Sequence, residues 1–315
     1  MTEVLTTSAP PRVATSPAIE TRDLVKRYGA LTALAGLTMT VPRGEIFGFL
    51  GPNGAGKTTA VKLLLGLTRP TSGVGMILGA PLGNLEARRR VGYLPELFRY
   101  QGWLTAREVL EFHCELAGLP VKQRRGEIDD ALETVGLATR GNDRVETFSK
   151  GMQQRLGLGV ALLGRPDLVF LDEPTSALDP VGRHDVREII RGLKARGTAV
   201  FLNSHLLSEV ELVCDRVAVV DHGRVIALGA IDELLGQANR VRLRVTGLPP
   251  VGESALRRYG ELDVAGEWLT IRGISEEGVP DVVAEIVRLG GRIHAVEPFH
   301  QTLEDRFLQL LGGAP

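Results

Sequence analysis

The feature that most restricts the fold is a strand, a glycine-rich loop and a helix in direct succession. Residues 45–50 (EIFGFL) are a short apolar run of the kind that forms a buried strand, and GPNGAGKTT follows at once. Residues 57–67 then read as an apolar helix, stopped by Gly66 and Pro70. Three later runs, 168–171, 199–202 and 217–220, are short, apolar and β-rich, with helical stretches between them. That alternation predicts an α/β core whose parallel strands are covered on both faces.

The rest of the chain adds smaller pieces around this core. Residues 19–25 and 34–41 read as strands closed by Pro42-Arg43-Gly44, and 91–94 as another. Residues 105–164 are mainly helical, with examples at 105–116 and 126–135. The turn Asp221-His222-Gly223 leads to a strand at 224–228. Near residue 237 the pattern changes. Residues 240–246 (RVRLRVT) alternate as a half-buried strand, followed by helix 253–259, strands 262–265 and 268–272, helix 279–289, strand 292–297 and helix 303–311. Strand-helix-strand-strand-helix-strand is the order of a ferredoxin-like split βαβ unit. The expected division is a mobile tail over 1–18, a main unit over 19–236 and a small C-terminal α+β unit over 237–315.

Charge and cysteine content narrow the partners. Lys and Arg total 37 against 38 Asp and Glu, so no broad basic surface is implied and nucleic acid is not an expected partner. Cys114 and Cys214 are far apart and outside any metal-ligand spacing, as expected of free thiols in a reducing cytosol. No apolar run is long enough to span a bilayer, and the first residues lack the basic and apolar regions of a secretory signal.

The loop itself, Gly51, Pro52, Asn53, Gly54, Ala55, Gly56, Lys57, Thr58 and Thr59, has the composition and flanks of a phosphate loop. Glycines let backbone N–H groups turn inward onto phosphate oxygens, and the helix beginning near Lys57 adds partial positive charge. Lys57 can reach the β- and γ-phosphates of a nucleotide, and the Thr58 hydroxyl can serve Mg²⁺. Asp172 ends the run 168–171, which places its carboxylate at the strand's C-terminal edge, where ligands bind in open α/β sheets. It can hold Mg²⁺ through a water, and Glu173 beside it suits a general base for an attacking water.

With these residues in place, the chain from about 19 to 235 resembles the ATP-binding subunits of ABC transporters. The resemblance rests on six motifs in order, among them the phosphate loop, the GYLP segment at 92–95, the SKGMQ turn at 149–153, the Asp172-Glu173 strand, the Ser-Ala-Leu-Asp turn at 176–179 and a downstream His205. The fold it implies is a P-loop NTPase cassette, a mixed sheet core with antiparallel β and helical subdomains. YLPE, SKGMQQR and the terminal TLEDRFLQL are similar to the branch that pairs with ABC-2-type permeases, often exporters. The resemblance implies that Tyr28 stacks on adenine, a contact worth ~1–3 kcal/mol by analogy with base stacking. It implies that Ser149, Gly151 and Gln153 meet the γ-phosphate of ATP held by a second cassette, and that Asp179 crosses the interface. It further implies that Glu96 and Asp172 serve Mg²⁺, and that His205 contacts the γ-phosphate and the attacking water. The implied working unit is a homodimer of cassettes at the inner face of the cell membrane, powering a separately encoded permease. The alternative is a non-transport ABC ATPase in a cytosolic complex.

Two positions depart from the common pattern. The signature reads Ser-Lys-Gly-Met-Gln rather than Ser-Gly-Gly-Gln-Gln, which keeps Ser149 and Gly151 and adds Lys150. Glu96 stands where Gln is common, so it can still ligate a cation but cannot donate a hydrogen bond. Tyr93, Phe98, Tyr100 and Trp103 crowd around Glu96 in a chain with 5% aromatics, and an exposed part of this cluster is expected to receive a helix of the permease. Arg88, Arg89 and Arg90 read as a solvated helix end.

Overall fold

A computed structural model describes residues 16–176, 178–235, 240–299 and 302–312. The expected N-terminal tail lies, up to residue 15, outside the described residues. Ala18 is already buried, and its N–H donates to Val41 O, so sheet bonding begins just ahead of the expected boundary at 19.

The first sheet is antiparallel. Strands β1 (Ile19–Tyr28) and β2 (Leu31–Val41) pair along their lengths. The glycine-rich loop follows β3 (Ile46–Leu50) and opens α1 (Lys57–Leu64). Helix α1 is shorter than the sequence suggests because Gly66 adopts φ 68°, a left-handed stop that glycine takes without strain. Two short strands, β4 (Ser72–Ile77) and β5 (Ala80–Pro81), then complete the antiparallel sheet in the order β2-β1-β4-β5.

The short helix α2 (Leu85–Arg88) precedes β6 (Val91–Leu94). Arg88, Arg89 and Arg90 are exposed as expected, and Arg90 pairs with Asp167. Helices α3 (Ala106–Leu116), α4 (Val121–Thr134) and α5 (Lys150–Leu162) form the helical part. Thr105 and Glu108 close a reciprocal capping box on α3. Helix α4 starts at Val121 rather than 126 because Pro120, with no N–H to lose, fits the cap. The remaining elements of the main unit are β7 (Leu168–Asp172), α6 (Pro180–Ala195), β8 (Ala199–Asn203), α7 (Leu207–Val213), β9 (Arg216–Asp221), β10 (Arg224–Ala230) and α8 (Ile231–Leu235). The central sheet has the order β10-β9-β3-β8-β7-β6, parallel except for the β9–β10 hairpin.

Every residue of β3, β7 and β8 is buried, as a sheet covered on both faces requires. Their alternation sorts the core. Phe47, Phe49, Phe170 and Phe201 face the antiparallel sheet, with Phe201 5.1 Å from both Phe49 and Phe170 by ring centroid. Ile46, Leu50, Val169, Leu171, Val200 and Leu202 face the helices. Gly92 in β6 lets α5 approach, since a Cβ there would stand 1.9 Å from Ala161 O.

Strands β11 (Arg240–Thr246), β12 (Glu261–Ala265), β13 (Trp268–Arg272) and β14 (Arg292–Phe299) form an all-antiparallel sheet in the order β12-β13-β11-β14. With α9 (Pro250–Leu256) and α10 (Val279–Arg288) as its crossovers, this is the split βαβ arrangement. Val241, Leu243 and Val245 point into its core while Arg242 and Arg244 are exposed.

The last helix, α11 (Leu303–Leu311), returns to the main unit. It packs on α7 and α8, Leu303 N donates to Glu211 Oε2 at 2.8 Å, and Leu303 is 1% exposed within the core beside the central sheet. Deleting residues 302–315 is therefore expected to destabilise the protein by about 2–5 kcal/mol, the range for emptying a buried leucine site. A thermal melt that matches the full chain would show that α11 contributes nothing to this core.

Candidate active site

Close backbone approach shapes the phosphate loop. A Cβ on Gly51 would stand 2.3 Å from Val220 O. At Gly56, which adopts φ 99°, it would stand 2.4 Å from Ala33 O. Both positions are closed to any side chain. Gly56 caps α1 without a side-chain acceptor, and the first turn carries no acidic residue. The amides of Lys57, Thr58 and Thr59 therefore begin the helix with no intrahelical partner and with its positive end open. Asn53, Gly54 and Thr58 are exposed, Pro52 and Thr59 half-buried, and Ala55 buried.

Lys57 Nζ donates to Gly51 O at 2.7 Å and to Pro52 O at 3.2 Å. Burial lowers its pKa, and the negative charges of Glu173, Asp172 and Glu96 oppose that shift. The charges of the three carboxylates singled out in the sequence thus all act on one ammonium. Asp172 is buried at the end of β7, and burial raises its pKa. The charge of Glu96 adds to the rise, while a hydrogen bond from Asn203 Nδ2 and the charge of Lys57 counter it. Asn203 Oδ1 is buried with no donor among the described residues, a state that costs about 1–3 kcal/mol unless some other group donates to it.

Glu173 sits at φ 52°, in the left-handed region that a side chain of its size avoids. Its N–H donates to Asn203 O at 2.8 Å, and its Oε2 lies 2.8 Å from His205 Nδ1. Ser204 Oγ is 3.5 Å from the same oxygen. Strained backbone of this kind costs of order 1–3 kcal/mol and persists only where surrounding contacts over-determine it. His205 is 57% exposed, so the pair stands at the surface of the site with the carboxylate inside.

The other expected residues occupy two further places. Tyr28 is 47% exposed, with Lys26 Nζ 4.9 Å from its ring centroid. It ends β1 in the hairpin whose second strand carries Ala33, the residue against Gly56. Ser149 caps α5 by accepting from Met152 N at 3.2 Å. Gln153 Nε2 donates to Phe148 O, and Asp179 caps α6 by accepting from Gly182 N at 2.9 Å. Among the described residues no hydrogen bond or ion pair joins Ser149, Gly151 or Asp179 to residues 51–59. Ala177 of the Ser-Ala-Leu-Asp turn lies outside the described residues.

The aromatic cluster divides. Phe98 and Tyr100 pack against the helical core, their rings 5.3 Å apart, and Tyr93 packs against the opposite face of the sheet. Only Trp103, at 68%, is widely exposed, together with the aliphatic Leu97. Sequence reasoning passed over Asn203 and Ser204, although a polar pair ending a wholly apolar strand is the signal that marked Asp172 and Glu173.

Comparison with known proteins agrees with the geometry. The sequence model of the ABC transporter family matches residues 34–176. The bacitracin transport ATP-binding protein BcrA of Bacillus licheniformis is 41% identical, over 95% of this chain and 98% of its own. An uncharacterized ABC transporter ATP-binding protein of Nostoc sp. is 40% identical, over 96% of this chain and 91% of its own. A solved structure of an ATP-binding subunit of an ABC transporter superposes with a TM-score of 0.62 at 34% identity, covering 69% of this chain and 91% of that one. Similarity along whole lengths, on a fold whose loop and strand ends converge on one ammonium, places the chain in the family of ABC transporter ATP-binding proteins, which hydrolyse ATP to power transport.

Proposed function

We propose that the working unit is a head-to-tail pair of these chains, each ATP lying between the phosphate loop of one and residues 149–153 of the other. One observation carries this. Gly151 has room for a side chain among the described residues of its own chain, where a Cβ meets only Leu178 Cδ2 at 3.8 Å and Ser149 Oγ at 3.9 Å. Its bareness serves a group from outside the chain, and the amides that open α5 beside it suit a phosphate. Asp179, capping the next helix along, would face the same junction.

Within one site, Lys57 exchanges the Gly51 and Pro52 carbonyls for the β- and γ-phosphates. Tyr28 offers its open ring face to adenine. Mg²⁺ fits the donors present, which are all oxygen: the Thr58 hydroxyl, the buried Asp172 carboxylate and Glu96. Mg²⁺ usually keeps several waters and takes phosphate ligands, so one or two protein carboxylates suffice. These residues would hold Mg²⁺ with ATP, where it would supply charge neutralisation to the phosphates. Glu173 accepts the proton of the attacking water, and His205 orients that carboxylate through Nδ1–H. No helix among the described residues is long and apolar enough to cross a membrane. A separately encoded permease of ABC-2 type at the cytoplasmic membrane face, working in export, completes the reading. The bacitracin-transport relative supports a transport role.

The composite site has a direct test. Lys57→Ala disables the loop of its own chain, and Ser149→Arg disables the half lent to a partner. Each variant alone is expected to lose ATPase activity. Mixed in equal amounts they are expected to recover about a quarter of the unaltered rate, because half of the dimers then hold one intact site of two. No recovery on mixing would mean that each chain completes its own site.

A further inference from the structure

The proposed site leaves one buried group without a role. Asn203 ends β8, is 4% exposed, and lies directly opposite Asp172 in the parallel β7–β8 register. Its Nδ2 donates to Asp172 Oδ1, and its backbone oxygen accepts from Glu173 N. Among the described residues it is the one side chain that donates to Asp172, and Oδ2 of that carboxylate accepts from none. The amide oxygen of Asn203 is buried and has no partner among the described residues, although a buried amide would ordinarily be fully bonded.

We infer that Asn203 is a positioning residue for the metal carboxylate and the general base together. One residue tethers the Asp172 side chain and pins the Glu173 backbone in its left-handed turn, so the two groups move as a unit. Holding Oδ1 leaves Oδ2 free to face a cation, as outer hydrogen bonds do when they orient a metal ligand. The unpaired Asn203 Oδ1 suits a water held on that cation. The next two residues extend the same grip, through Ser204 Oγ and His205 Nδ1 on Glu173 Oε2. Residues 203–205 therefore act as a template for 172–173. A chain with an apolar group at 203 would keep the backbone bond to Glu173 and lose only the tether on Asp172.

This rests on the proposed assignment of Asp172 to the metal, and the test separates the two. Mn²⁺, which reports its binding by electron paramagnetic resonance, is titrated into the full-length protein with bound ADP. Asn203→Leu, close to Asn in size, is expected to weaken Mn²⁺ binding about 10-fold or more, the usual effect of losing an outer-shell partner. Affinity for ADP without metal should stay within about twofold, because the phosphate loop is untouched. Asn203→Ser, which keeps a small polar side chain, is read the same way should Asn203→Leu fail to fold. Unchanged Mn²⁺ affinity, or an equal loss of metal-free ADP affinity, overturns the inference. Asp172→Asn is the control: if it too leaves Mn²⁺ affinity unchanged, the assignment of Asp172 fails, whereas loss there with none at Asn203 overturns the positioning role alone.

Discussion

Replacing Glu173 by Gln is expected to reduce ATP turnover by ~10²–10⁴ while leaving ATP bound, the range that a positioned general base supplies. Gln matches Glu in size and accepts a hydrogen bond from His205 Nδ1, which now lies 2.8 Å from Glu173 Oε2. It cannot take a proton from water. The left-handed backbone at φ 52° is unfavourable for both residues, so the substitution should not alter the fold. With hydrolysis blocked and the phosphates in place, the two-chain assembly should persist in ATP and run as a dimer on gel filtration. A variant that turns over at the normal rate would remove Glu173 from the base role, and one that binds ATP but elutes as a monomer would count against the paired site.

The second large effect contrasts two glycines near the two ends of α5. Gly92→Ala is expected to destabilise the protein by about 3 kcal/mol, the upper end for overpacking, because the new methyl would meet a backbone oxygen, Ala161 O, 1.9 Å away. Nothing flexible can yield there, so α5 has to move off β6. At about 2–4 °C per kcal/mol for a unit of this size, the melting temperature should fall by several degrees. Gly151→Asp should do the opposite. Gly151 lies in the first turn of α5, where a carboxylate interacts well with the helix dipole, and among the described residues a Cβ meets no contact closer than 3.8 Å. Stability should hold or rise, while ATPase activity should collapse because a negative charge is set against the partner's phosphates. Melting curves and ATPase rates on the two variants separate the cases. Normal activity in Gly151→Asp would place that glycine away from any phosphate.

How much of this was legible beforehand depended on whether a residue's signal was local. The strand-loop-helix at the phosphate loop and the strand ending in Asp172 are written in adjacent residues, and both appear where they were read, the helix ending three residues early. RVRLRVT shows the alternation of β11 because one face is covered and the other wet. Strand β4 (SGVGMI) shows none, since most of it is exposed and its glycines carry no pattern, so it was missed. An exposed part of the aromatic cluster was expected, but not which part: Phe98 and Tyr100 fill the core while Trp103 faces solvent. Apolar identity cannot say which neighbour covers a ring. The same limit hid the destination of α11: a helix over 303–311 was read, but not that α7 and α8 receive it. Asn203 escaped because its partners are 31 and 30 residues away and meet it only through strand register.

The left-handed backbone at Glu173 has a consequence for the history of such chains. Glycine would relax that turn, so the residue proposed as the base is one the fold alone would reject. On the proposed role, demand for hydrolysis is what would keep a carboxylate there. In a descendant that kept the shape for binding and no longer needed the reaction, position 173 would be among the first to drift, and it would drift toward smaller residues. Its identity is a marker of whether the engine still runs.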